Sequence, residues 1–300
     1  MAVQLRGVIA PVVTPFDAST GEIAAEEFGA NITAHLDEGL AGVLVAGSTG
    51  EAALLDDGER QALIELARAR VPSEKLLLVG AGAESTRATT ARARDAAERG
   101  ADAVLVVAPH YYGPAMTDEA LSAHYRRVAD ESAVPVLLYN IPKYMHFALS
   151  TRLVGELAQH ENIIGMKDSS GDLELLRQYI ALQSESFTVL TGHAGTLLSA
   201  LRMGAGGAIL AASLFAAPLA LEVCDAFAAG DDARASSVQE RLALLNKEIV
   251  GTLGVPGIKA ALDLAGLNGG APRAPLLDLS TTERDRVASL VRSAGMVRAA

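Results

Sequence analysis

Eight short apolar runs, rich in β-branched residues, return at regular intervals along the first two thirds of the chain. They lie near Val8–Val13, Gly42–Ala46, Lys75–Val79, Ala103–Val107, Val134–Tyr139, Ile163–Lys167, Phe187–Thr191 and Gly207–Ala211. Runs that are apolar throughout fit strands covered on both faces, as in a parallel sheet. Amphipathic segments of helical length separate them. Asp56 with Glu59 three residues on predicts a capping box, and Ser85 and Ser150 predict caps of later helices. Eight strand–helix units predict an α/β fold, a closed (β/α)8 TIM barrel, over a competing doubly wound open sheet. We assign residues 1–230 to the barrel and 231–300 to a helical extension, with "GLNGGAPRAP" as a loop inside it.

Composition narrows what such a barrel can bind. Half of the 300 residues are hydrophobic, enough for a large core. The formal charge of −11 argues against nucleic acid and anionic membrane surfaces as partners, though not against a small anionic substrate. A single cysteine, Cys224, excludes an internal disulfide and a multi-cysteine metal site. None of the six histidines forms an HxH or HExxH pair, so no metal is expected. The first residues lack the apolar core of a signal peptide, and no run reaches the ~18 apolar residues of a membrane span. A cytoplasmic setting is expected.

In such a barrel the chemistry sits at the C-terminal ends of the strands. The polar residues there are Thr14, the Gly47–Glu51 stretch "GSTGE", Pro109 to Tyr112, Tyr139-Asn140, Lys167-Asp168-Ser169 and Thr191-Gly192-His193. Of five lysines, Lys75 begins a strand, Lys143 lies in a loop, Lys247 and Lys259 fall in C-terminal helices, and Lys167 ends a strand at the catalytic side. Burial lowers a lysine pKa, and the neutral amine can attack a ketone to form an imine. The protonated imine then stabilises a carbanion on the neighbouring carbon. The competing reading of Lys167 is an ion pair with Asp168 or another rim carboxylate.

Imine chemistry also needs a proton relay and a carboxylate clamp. Tyr139 can supply the relay, and "GSTGE" can supply backbone amides and two hydroxyls for an anion. Their structural alternatives are a core tyrosine and an ordinary tight turn. His35, His124 and His160 are expected on helix surfaces. His110 and His193 are expected at the rim in packing or surface roles.

"GSTGE", "PHYYGP", "LLYNIP" and "IIGMKDSSGD", in this order and spacing, resemble the dihydrodipicolinate synthase / N-acetylneuraminate lyase family over nearly the whole chain. The resemblance implies pyruvate-handling class I lyases that work through a lysine imine without metal. It implies Lys167 as the imine lysine, Tyr139 as general acid/base, and Ser48 as a relay hydroxyl. It makes Tyr111 a relay tyrosine lent to a neighbouring subunit, and Thr49 with the Ser48 and Thr49 amides the carboxylate clamp. Ile209 aligns with a residue bordering the lysine. Members are commonly tetramers, dimers of dimers. Synthases of the family usually carry an arginine where this chain has Tyr144, with Lys143 beside it. Together with "GVPGIKAALDLAGLNGGAPRAPL", this points to the 4-hydroxy-2-oxoglutarate aldolase-like branch, cleaving a 4-hydroxy-2-oxo acid to pyruvate and an aldehyde. The alternatives are the synthase, which condenses pyruvate with aspartate semialdehyde, a 2-keto-3-deoxy sugar acid aldolase or dehydratase, and a catalytically silent binding barrel.

Overall fold

The computed structural model describes residues 3–297. Eight parallel strands close into a barrel in chain order. They are β1 (Gly7–Pro11), β2 (Gly42–Val45), β3 (Leu76–Gly80), β4 (Ala103–Val107), β5 (Val136–Asn140), β6 (Ile163–Asp168), β7 (Thr188–Thr191) and β8 (Gly207–Ile209). Each of the eight expected runs overlaps one strand, with no end displaced by more than two residues, and β4 coincides with its run. The closure is physical: β1 pairs with both β2 and β8, so no strand edge remains open.

The helices begin where their caps predict. Asp56 and Glu59 exchange backbone bonds of 2.8 and 2.9 Å in a complete capping box. Ser85 accepts from the Ala88 amide and Ser150 from the Leu153 amide. Beyond the eighth barrel helix (Ser213–Ala228) the chain is helical over Asp232–Leu245, passes through a π-helical turn at Asn246–Gly251, and continues over Gly254–Leu264 and Thr281–Ser293. Lys143 departs from its expectation, lying in a one-turn helix, Pro142–Met145, rather than a loop.

Two histidines also depart from expectation. His35 and His124 are buried, not on helix surfaces. The imidazole of His124 bonds the Thr86 hydroxyl at 2.9 Å, and burial pushes its pKa down to about 4. One hydrogen bond makes a neutral imidazole tolerable between helices where a charged one would not be. His160 lies beyond the end of its helix and contacts Asp130.

One irregularity sets the geometry of the site. Val136 of β5 is registered with Ile163 of β6, but the next residue, Leu137, is registered with Gly165. Ile164 is therefore an extra residue, a β-bulge in β6. After it, Tyr139 stands opposite Lys167 and Asn140 opposite Asp168. Gly165 follows the bulge because nothing larger fits: a Cβ there would lie 2.3 Å from the Thr188 carbonyl oxygen. Gly165→Ala should force β6 away from β7 and cost about 1–3 kcal/mol, read as a lower urea midpoint with an unchanged slope.

Candidate active site

Lys167 is held almost entirely out of water, with 5% of its surface exposed. Strand β6 carries it to the mouth of the barrel, and the register puts it on the same side as Tyr139. Its Nζ lies 4.4 Å from the centre of the Tyr139 ring. Among the described residues no carboxylate lies within ion-pair distance of it, so the competing ion-pair reading fails. Asp168 is engaged elsewhere: its Oδ1 accepts from Asn140 Nδ2 at 2.7 Å and its Oδ2 from the Ser170 hydroxyl at 2.8 Å. Burial alone, with no counter-charge to offset it, lowers the Lys167 pKa from the ordinary 10.5 to about 7. Much of the amine is then uncharged at neutral pH.

Close packing makes this environment. A Cβ on Gly192, in the loop after β7, would lie 2.0 Å from Ser169 Oγ and 2.8 Å from Lys167 Cε. The seventh loop can approach the lysine this closely only as glycine.

The Tyr139 phenol, also buried, is pushed up to about 12 by desolvation, partly opposed by hydrogen bonds to Ser169 and Ser48. It stays protonated at neutral pH, with the Ser48 and Ser169 hydroxyls beside it. Ser48 was singled out from sequence. Ser169 was only placed at the rim, and a serine two residues beyond the lysine on a closely packed loop is the signal that could have marked it.

The turn expected to clamp a carboxylate is internally bonded. The turn after β2 is held by the Glu51 amide donating to Ser48 O and the Thr14 hydroxyl to Gly50 O at 2.8 Å. Among the described residues, the Ser48 and Thr49 amides donate to no protein acceptor. Both are available to an anion. Ile209 is fully buried at the end of β8, opposite Ile9.

Other residues stand apart from the lysine. Tyr111 is 77% exposed, packs edge-on against Tyr112 at 5.0 Å, and is not among the partners of Tyr139. The amides of His110 and Tyr111 donate to Glu84 Oε2. Tyr144 is partly exposed, with its phenol pKa raised by burial and by the nearby Tyr139. Lys143 Nζ donates to Gly251 O in the π-helical turn. His193 receives a bond from Asn246 of that same turn.

Sequence reasoning missed Lys259. Assigned only to a C-terminal helix, it reaches into the barrel mouth and pairs with Glu51 of "GSTGE" at 2.5 Å. Neither residue announces this locally, because the contact joins positions more than two hundred apart.

A buried lysine with no carboxylate partner among the described residues, at the C-terminal end of a closed barrel and facing a phenol with two serine hydroxyls beside it, has the chemistry that a class I imine-forming lyase requires. The comparisons with known proteins give the family. The dihydrodipicolinate synthetase family model matches residues 4–294, and the chain belongs to that family. A 4-hydroxy-tetrahydrodipicolinate synthase of Thermodesulfovibrio yellowstonii is 33% identical, covering 98% of this chain and 99% of the relative. Among solved structures, a dihydrodipicolinate synthase of Bacillus anthracis has a TM-score of 0.93 at 29% identity, covering 97% of this chain and 99% of its own. YagE, a prophage protein of this family from E. coli K12 solved with pyruvate, has a TM-score of 0.92 at 29% identity, covering 98% and 100%. The synthase names correspond to the synthase alternative and not to the aldolase reading.

The Lys167 environment makes a signed prediction. The rate at which borohydride fixes pyruvate to the protein should rise as pH climbs through about 7, as the ammonium loses its proton. Stability has the same origin. Between about 7 and 10.5 the unfolded lysine holds a proton that the folded one has lost, so stability rises with pH across that window, and below it the burial penalty is fully present. Lys167→Met should flatten that slope in urea titrations while abolishing the adduct.

Proposed function

We propose that this chain makes or breaks carbon–carbon bonds to pyruvate through an imine on Lys167. The observation that carries the reading is the buried amine without a counter-ion facing the Tyr139 phenol. The Ser48 and Thr49 amides would receive the carboxylate of the 2-oxo acid, setting its C2 carbonyl toward Nζ. The neutral amine adds to C2, and water leaves as the imine forms. Tyr139 shuttles protons for these steps. With a pKa near 12 it cannot hold a negative charge at neutral pH, so it passes protons to or from Ser48 or Ser169 rather than storing them.

For the second substrate we hold to cleavage of a 4-hydroxy-2-oxo acid. The imine acts as electron sink while the relay takes the 4-hydroxyl proton. The C3–C4 bond breaks, an aldehyde leaves, and the enamine is protonated and hydrolysed to pyruvate. What favours this reading is the rim, where Tyr144 offers a half-exposed phenol and Lys143 is tied to Gly251 O. Neither supplies the planar two-pronged cation that suits the carboxylate of aspartate semialdehyde. The second reading is the synthase, and the curated relatives' names favour it. Both begin with imine formation on Lys167 and pass through the enamine of pyruvate, reached by C3–C4 cleavage in the first and by loss of a C3 proton from the pyruvate imine in the second.

The exposed Tyr111 supports a further proposal, that copies associate, as a dimer or a dimer-of-dimers tetramer, so that each offers this phenol to its neighbour's site. A cytoplasmic location is likewise our proposal; among the described residues no helix is long and apolar enough to cross a membrane.

Incubation with pyruvate and borohydride should add one pyruvyl group to Lys167 by peptide mass spectrometry; an unmodified lysine would sink the reading. A panel of 4-hydroxy-2-oxo acids assayed for pyruvate release, beside pyruvate plus aspartate semialdehyde assayed for condensation, decides between the two substrates. Tyr144→Arg should move activity toward condensation. Tyr139→Phe should lower turnover about 10²–10⁴-fold while still allowing slow adduct formation.

A further inference from the structure

The Lys259–Glu51 pair is the most heavily buried charge pair in the described chain, and the imine mechanism does not use it. Helix Gly254–Leu264 projects Lys259 into the barrel mouth, where 1% of its surface is exposed. There Nζ lies 2.5 Å from Glu51 Oε1, donates to Thr14 O at 2.8 Å and to Ala271 O at 2.7 Å, and sits 4.7 Å over the Phe16 ring. Its three hydrogens therefore face one group from the loop after β1, one from the loop after β2 and one from the extension.

Glu51 is held from both sides. Its second oxygen accepts the Arg273 amide at 2.8 Å. The Arg273 side chain in turn binds Leu54 O, Gly21 O and Glu59. Glu51 also occupies the left-handed region, φ 59°, unusual for a residue with a side chain. Such a conformation persists only where the surroundings enforce it. What it ends is the turn carrying the Ser48 and Thr49 amides, and the peptide units of those amides are tied to it: Ser48 O accepts from the Glu51 amide and Gly47 O from the Ala52 amide.

We propose that Lys259 and Glu51 are positioning residues for the substrate carboxylate. The C-terminal extension, through Lys259, locks the Gly50–Glu51 backbone and thereby aims the Ser48 and Thr49 amides at a 2-oxo acid. The proposal rests on the imine reading above. It makes the pair a determinant of carboxylate recognition and not of amine reactivity, because Lys167 is carried by a different strand.

The test compares two carbonyl compounds of similar size, pyruvate and hydroxyacetone, in borohydride trapping followed by intact mass. Wild type should trap both, pyruvate at far lower concentration; failure to trap pyruvate refutes the imine reading itself. In Glu51→Gln and Lys259→Met the pyruvate concentration for half-maximal trapping should rise about 10-fold or more, the scale of one or two charge-assisted hydrogen bonds. Hydroxyacetone trapping, and the pH midpoint of trapping, should stay within about twofold. Removing one member strands a buried charge, so the paired Lys259→Met/Glu51→Met variant is made as well, since apolar replacement of both partners is often tolerated. Unchanged pyruvate half-saturation in a folded variant overturns the proposal. So does an equal loss for both compounds, or a set in which no variant folds, since these assign the pair to stability.

Discussion

The removal of one amine from water is the constraint on which this site depends. An ammonium at the end of β6 would be costly to bury, and among the described residues no carboxylate offsets that cost. The structure accepts the penalty and lowers the proton affinity of the lysine instead. Its neighbours serve the same end: Gly192 lets a loop close over the aliphatic stem, the Tyr139 ring covers one side, and Asp168 is turned away by Asn140 and Ser170. Had Asp168 paired with Lys167, the rim would gain an ion pair and lose its nucleophile.

Around this amine the barrel divides its labour among strands. Strands β5 and β6 hold the groups we propose to react, the turn after β2 holds the amides we propose to receive the anion, and segments beyond β8 pack against the turns at the mouth. The π-helical turn receives Lys143 from the one-turn helix after β5 and bonds His193 from the loop after β7. Lys259 and Arg273 reach the opposite side of the mouth, at the turns after β1 and β2. Inserting the extension's basic residues among carboxylates and carbonyls closes the open end of a short-stranded barrel without placing an unpaired charge there.

Much of this was legible in the sequence because it is local or periodic. Eight apolar runs gave eight strands, since a strand buried on both faces has almost no polar residues to confuse the pattern. Lys167 and Tyr139 stood out as polar residues ending such runs. What escaped was non-local. His35 and His124 look like surface residues on amphipathic helices, yet neighbouring helices cover them. Lys259 reads as one more helical lysine until the fold brings it to Glu51. Ser169 acquires its neighbour only when two strands are registered. Our proposal for the second substrate rests on the rim, at Tyr144 and Lys143, and the relatives' names point the other way.

The bulge at Ile164 decides which atoms meet across β5 and β6. Were Ile164 paired in regular register with Leu137 instead of bulged out, the position across from the phenol would pass from Lys167 to Met166. A nucleophilic nitrogen would give way to a thioether, and the barrel would still close. The chain's capacity for covalent chemistry thus hangs on a single-residue slippage between two strands, a feature of spacing invisible to any inventory of side chains.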